Sequence, residues 1–281
     1  MDICLFKELS RKYKVIFFDS YGVLRNYKGI YSGVREMLQS LEQDGIDYYI
    51  LTNDASRSPQ LLADSFLSRG VPEITKDKII SSGMIAMDYI ANKVNAGTVV
   101  YLGTEQSAHY VASIGLNTIS ISDLDLDNID DVSSLVFLDD EGFDWNKDLS
   151  KTVNLLRKKS VPVIVANLDA TYPVNKEDVS IAIGGIAQLV EKMVKKTFMR
   201  FGKPDSQMFN FAYNYILSKN TVTKREILMV GDTLKTDIIG GNKFGIDTCL
   251  VLSGNVQARK VELNIAASGI IPDFICESVM T

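Results

Sequence analysis

The stretch Val15-Ile16-Phe17-Phe18-Asp19-Ser20-Tyr21-Gly22-Val23-Leu24 is an apolar run that ends in a carboxylate and a glycine turn. Continuously apolar residues suit a strand covered on both faces, as in a parallel sheet. A carboxylate at the C-terminal end of such a strand points into the crevice where open α/β sheets take their ligands. Three later segments carry chemistry at similar places. Leu51-Thr52-Asn53 ends an apolar run in a hydroxyl and an amide. Gly202-Lys203-Pro204 puts a cation in a turn. Ile227-Leu228-Met229-Val230-Gly231-Asp232 ends another strand in an acid, and Asp237 follows in the first turns of the next helix.

Working outward, strand-like runs alternate with helical patterns. Lys14–Ser20, Asp47–Asn53, Thr98–Gly103, Ser134–Asp139, Val161–Asn167, Glu226–Gly231 and Asp247–Ser253 read as strands. Between the first two, Val34, Met37, Leu38 and Leu41 have the spacing that buries one helix face. Ser32 reads as its N-cap and Gly45 as the residue just past its end. A second helix starts at Ser58-Pro59 and stops at Gly70. This alternation predicts an α/β fold with a Rossmann-like parallel sheet. Asp19 and Thr52 are one βα unit apart, with no room for an extra domain. The interval from Thr52 to Lys203 has its own strands and helices, so it holds an inserted α/β cap domain. The expected division is a core of residues 1–83 and 197–281 with a cap of 84–196.

Bulk properties exclude several classes. At 281 residues the chain can bury a sizeable core. A net charge of −5 advertises no nucleic-acid surface. No run approaches the ~18 uncharged apolar residues of a membrane span. Residues 1–14 lack the apolar centre of a signal peptide. Cys4, Cys249 and Cys276 are few, odd in number and far apart in sequence, which reads as reduced thiols in a cytoplasmic protein.

The four segments together describe phosphoryl transfer, which needs little covalent work and much electrostatics. A carboxylate attacking a phosphate dianion meets like charge, so positive charge must sit between and around them. Asp19, Asp232 and Asp237 make an oxygen-rich set suited to magnesium, and Lys203 adds an ammonium. Thr52 offers a hydroxyl to a phosphate oxygen. His109, the one histidine, has no catalytic partner in view, and Trp145 reads as core packing in the insert.

The chain resembles the haloacid dehalogenase (HAD) superfamily, and within it the class IIA phosphatases. The second family motif is similar to Leu51-Thr52-Asn53-Asp54-Ala55-Ser56-Arg57-Ser58, the third to Phe201-Gly202-Lys203-Pro204-Asp205, and the fourth to Gly231-Asp232-Thr233 through Thr236-Asp237-Ile238. Ser81-Ser82-Gly83-Met84 resembles the junction into the cap, and Ala166-Asn167-Leu168-Asp169 with Tyr172-Pro173 and Gly184-Gly185 the way back. The resemblance implies a magnesium-dependent hydrolase of small phosphate monoesters, sugar phosphates among them. By it Asp19 is the nucleophile and a magnesium ligand, Tyr21 gives a backbone carbonyl to the metal, and Asp232 and Asp237 complete the metal site. Thr52, Asn53 and Lys203 hold the phosphate, Asn167 and Asp169 face the substrate, and a homodimer forms through the cap.

The sequence departs from that pattern at Tyr21, where the family's phosphatases carry a second Asp that protonates the leaving group and activates water. A phenol, with a pKa near 10 against about 4 for Asp, is a weak acid and a poor base at neutral pH. Two other readings follow: a phospho-ligand-binding protein with little turnover, and a 2-haloacid dehalogenase, in which Tyr occupies this place. The second is opposed by the retained Asp232 and Asp237 and by the absence of a cap between Asp19 and Thr52.

Overall fold

The computed structural model describes residues 3–94, 96–219, 221–254 and 261–281. The chain divides into two compact units, one of Met1–Thr52, Pro59–Ile80 and Lys203–Thr281, the other of Asn53–Ser58 and Ser81–Gly202. In chain order the strands are β1 Val15–Phe18, β2 Arg25–Asn26, β3 Gly29–Ile30, β4 Asp47–Thr52, β5 Ile79–Ser81, β6 Thr98–Leu102, β7 Asn117–Ser120, β8 Val132–Phe137, β9 Val163–Val165, β10 Thr171–Pro173, β11 Val179–Ile181, β12 Met199–Arg200, β13 Ile227–Gly231, β14 Asp247–Val251 and β15 Phe274–Cys276.

A six-stranded sheet has the order β15-β14-β13-β1-β4-β5. β1 lies at its centre and pairs in parallel with β13 and β4. All four residues of β1 are buried, as their unbroken apolar run requires. The chain leaves β1 towards β4 on one side and returns through β13 to β14 and β15 on the other, so the strand order reverses at β1. That reversal opens a crevice at the C-terminal strand ends.

The helix Val34–Gln43 buries Val34, Leu38 and Leu41 against this sheet, with Met37 partly buried beside them. Truncating such a residue, Leu38→Ala for instance, costs about 2–5 kcal/mol. The helix starts differently from the expectation. Gly33 is its N-cap, at φ +90°, and Ser32 stands one residue outside. A left-handed entry of this kind needs a residue without a Cβ, and one added at Gly33 would sit 3.1 Å from the Met280 side chain. Gly45 follows the end of the helix at φ +70°, as its sequence position suggested.

The second unit has a five-stranded sheet of order β12-β9-β8-β6-β7. Its strands also pair in parallel. Helices Trp145–Lys158 and Ile183–Val194 pack on it through Leu155, Leu156, Ile183, Ile186, Ala187 and Val190. Trp145 is 39% exposed and donates its indole N–H to the Asp140 carbonyl at 3.0 Å, so it sits at a helix start and outside the core. No described helix is long and apolar enough to cross a membrane.

Candidate active site

In the first unit the sheet brings three chemical groups to one edge. The Asp19 N–H donates to the Val230 carbonyl at 2.9 Å, continuing the β1–β13 ladder past the last paired residues, Phe18 and Val230. Asp19 therefore lies level with Gly231, and Asp232 follows one residue later. On the other side Phe18 pairs with Ile50, which sets Thr52 at the end of β4 on the same edge.

Asp232 is held between two glycines. A Cβ on Gly22, at φ +83°, would lie 2.1 Å from the Asp232 carboxylate, and one on Gly254 would lie equally close. The backbone can press this near only where there is no side chain. Ser253 donates its hydroxyl to the Gly22 carbonyl at 2.8 Å, and Tyr31 donates to the Ser253 carbonyl at 2.8 Å, tying the two flanking segments together.

Asp237 arrives from a wider turn. Residues Leu234–Ile238 wind as one π-helical turn before the helix Ile239–Phe244, the kind of local widening that recurs at functional sites. The turn sets Asp237 over the end of β13, where one of its oxygens accepts the Thr233 N–H at 3.1 Å. Its other oxygen lies 2.7 Å from the Lys203 ammonium. Lys203 is buried and also donates to Asp19 Oδ1 at 2.6 Å. Burial works against the ammonium, but Asp19 and Asp237 outweigh it and hold the lysine above its ordinary pKa. Burial pushes Asp237 up to about 6 even though Lys203 pulls the other way.

Oxygens of Asp19, Asp232 and Asp237 all lie within 4.8 Å of one another. Three ionised carboxylates beside one ammonium leave two negative charges in excess. Hard oxygen donors with that surplus fit a divalent cation such as magnesium. Tyr21, half-buried, pairs with Arg25 through the main chain. Burial raises its pKa against the opposing pull of Arg25, and Tyr31, Tyr27 and Asp232 add to the rise. The phenol therefore stays protonated at neutral pH.

The second unit holds Asn53, Asn167 and Asp169 together. Asn53 Nδ2 donates to Asp169 Oδ1 at 3.0 Å, and the Asn167 side chain accepts the Asp169 N–H at 2.8 Å. Ser82 donates to the Asn53 carbonyl at 2.9 Å, and Tyr110 to the Arg57 carbonyl at 2.7 Å, so the loop 53–58 is fastened within this unit. Nearby in the same unit, Tyr172 donates to Asp140 at 3.0 Å.

Comparison with known proteins decides the family. A model described as haloacid dehalogenase-like hydrolase matches residues 16–117, and a second, HAD-hydrolase-like, matches residues 200–280. The chain is 56% identical to a crystal structure of a possible sugar phosphatase of the HAD superfamily from Cytophaga hutchinsonii, covering 100% of this chain and 99% of that one with a TM-score of 0.96. The chain belongs to the haloacid dehalogenase-like hydrolases, among their phosphatases. It is also 26% identical to chronophin from Bos taurus, over 94% of this chain and 90% of that protein. The ribonucleotide monophosphatase NagD of Escherichia coli K12 is 26% identical over 86% of this chain and 88% of its own length.

For an HAD chain, several contributors to the site carry no obvious signal in sequence. Gly254, Ser253 and Tyr31 shape the walls around Asp232, yet each reads as an ordinary loop residue. Their one sequence signal is that Ser253-Gly254 follows the apolar strand β14.

Proposed function

We propose that the chain hydrolyses small phosphate monoesters with the help of magnesium, through an aspartyl-phosphate on Asp19. The observation that carries this reading is the buried Lys203 ammonium, 2.6 Å from Asp19 and 2.7 Å from Asp237. A buried cation beside the carboxylate that is to attack draws a phosphate dianion to a place its own charge would repel it from. Asp19, Asp232, Asp237 and the Tyr21 carbonyl would hold the metal, which supplies further positive charge to the phosphoryl oxygens when bound.

A carboxylate oxygen of Asp19 attacks phosphorus, the ester P–O bond breaks, and the departing oxygen takes its proton from solvent water. Water then attacks phosphorus, the bond from phosphorus to the Asp19 oxygen breaks, the water's proton passes to solvent, and phosphate leaves with the Asp19 carboxylate restored. Lys203 stays protonated throughout and meets the negative charge that develops on the phosphoryl oxygens. Thr52 offers its hydroxyl to one of them. Within the second unit Asp169 accepts the Asn53 amide and Asn167 holds Asp169, and by the family resemblance these three residues would serve substrate binding. A small phosphorylated metabolite is the substrate class, with sugar phosphates favoured by the 56% identical relative.

Tyr21 supports a second reading, phospho-ligand binding with little turnover, because a neutral phenol replaces a carboxylate in proton transfer. Phosphate release from a panel of sugar phosphates and p-nitrophenyl phosphate, with magnesium and with EDTA, separates the two. Metal-dependent release upholds the hydrolase. Tight binding with no release in either condition overturns it in favour of the binding protein.

A further inference from the structure

All three cysteines, distant in sequence, meet at the edge of the six-stranded sheet. Ile3 pairs in parallel with Ile275, and the Cys4 N–H donates to the Ile275 carbonyl at 2.9 Å. Cys4 therefore lies beside Cys276 one residue further along, and their sulfurs are 3.3 Å apart. Cys249 on β14 pairs with Phe274, two residues before Cys276 on β15, so it meets Cys276 on the diagonal. The two neighbours differ in what they can form. Directly paired strand residues sit roughly 5 Å apart at Cα, inside the range of a disulfide, whereas diagonal ones sit about 7–8 Å apart, outside it.

We propose that Cys4 and Cys276 are a site of reversible oxidation, at which a peroxide closes an intramolecular disulfide between the first and last strand segments of the chain. Cys4 is half-buried, while Cys249 and Cys276 are fully buried, so a small oxidant reaches Cys4 first, and burial, which pushes the Cys4 thiol up to about 11, makes this the slow step. The Cys4 sulfur takes one oxygen from hydrogen peroxide, becoming a sulfenic acid, and one water is released. The Cys276 sulfur then attacks the Cys4 sulfur, the S–O bond breaks, and its hydroxyl leaves with the Cys276 proton as a second water. Two thiols lose two electrons and one peroxide gains them. Cys249 assists without joining the bridge. Its hydrogen bond to Cys276 holds that thiol below the usual range, favouring the attacking thiolate. The sulfurs need close by only ~1.3 Å to reach bonding distance.

The test uses the full-length reduced chain. It is treated with hydrogen peroxide, denatured, alkylated, and read by intact mass and peptide mapping. The expected result is one alkylated cysteine in place of three, a loss of two hydrogens, and a linked Cys4–Cys276 peptide that dithiothreitol reverses. Cys4→Ser abolishes the bridge and Cys249→Ser retains it. Three alkylatable thiols after peroxide, accumulation of Cys4 sulfinic acid, or a bridge that includes Cys249 each overturn the proposal. Because Cys4 is half-buried, Cys4→Ser gives a folded control even where Cys276→Ser does not.

Discussion

Asp237 in the first unit and Asp139 in the second are both aspartates that burial pushes up to about 6. Their neighbours differ. Asp237 faces the Lys203 ammonium at 2.7 Å. Asp139 has the Thr104 hydroxyl at 3.2 Å, while Asp140, Asp54 and Glu141 add like charge. The same desolvation thus has two consequences. Beside a buried cation it concentrates negative charge where a metal and a phosphate can use it. Without one it leaves a carboxyl group among like charges with a single hydroxyl as partner. Burial of a carboxylate is therefore weak evidence for catalysis, and the identity of the facing group decides.

The largest test of this contrast is Asp19→Asn. It keeps the shape and removes the attacking charge, and we expect phosphate release to fall by at least ~1000-fold, measured with saturating magnesium. An unchanged rate would place the nucleophile elsewhere. Lys203→Met converts the Asp237 environment into one like that of Asp139, with buried carboxylates lacking a cation. Leaving such charges unpaired costs about 3–5 kcal/mol, read by urea unfolding, and turnover falls by ~100-fold or more. A variant as stable as the wild type would show that the ion pair contributes nothing net.

Tyr21→Asp restores a carboxylate next to the site. General acid–base help is typically worth ~100–10,000-fold, and we expect kcat to rise by about 100-fold while Tyr21→Phe stays within a few-fold of the wild type. A fall in the Asp variant would assign the tyrosine a role of its own. The smallest effect is Asp139→Asn. Between its unfolded value of 3.8 and its folded value of about 6, the native state binds more protons than the unfolded chain. Stability therefore decreases as pH rises from about 4 to about 6 and is level above. The Asn variant should flatten that decrease, as followed by thermal melts across the window.

Much of this was legible in the linear chain. Asp19, Thr52, Lys203, Asp232 and Asp237 stand out because strand-end carboxylates and turn cations break an apolar pattern. Six of the seven strand runs contain an observed strand, shorter at the ends by one or a few residues, and the run Ser134–Asp139 is offset from β8, which starts two residues earlier at Val132. The short strands β2, β3, β5, β7, β10, β11, β12 and β15 lie outside those runs, since two to four residues carry too little periodicity to read. Propensity favours Ser32 as the cap, but the left-handed backbone beside Met280 selects Gly33 instead. Hydrophobicity places Trp145 in a core, but its indole N–H donates to the Asp140 carbonyl in the loop ahead of the helix. The cysteines illustrate the limit best, for 272 residues separate two sulfurs that lie 3.3 Å apart.

Local chemistry by itself determined which side chains carry charge, which runs make strands and which family the chain resembles, because those depend on near neighbours. The tertiary structure alone decided that Lys203 lies between Asp19 and Asp237, that Gly22 and Gly254 close on Asp232, and that Asn53 is held by Asp169. Each of these joins groups far apart in the chain. Sheet register and the loss of water on burial set their distances and their charge states, and neither is written in the order of residues.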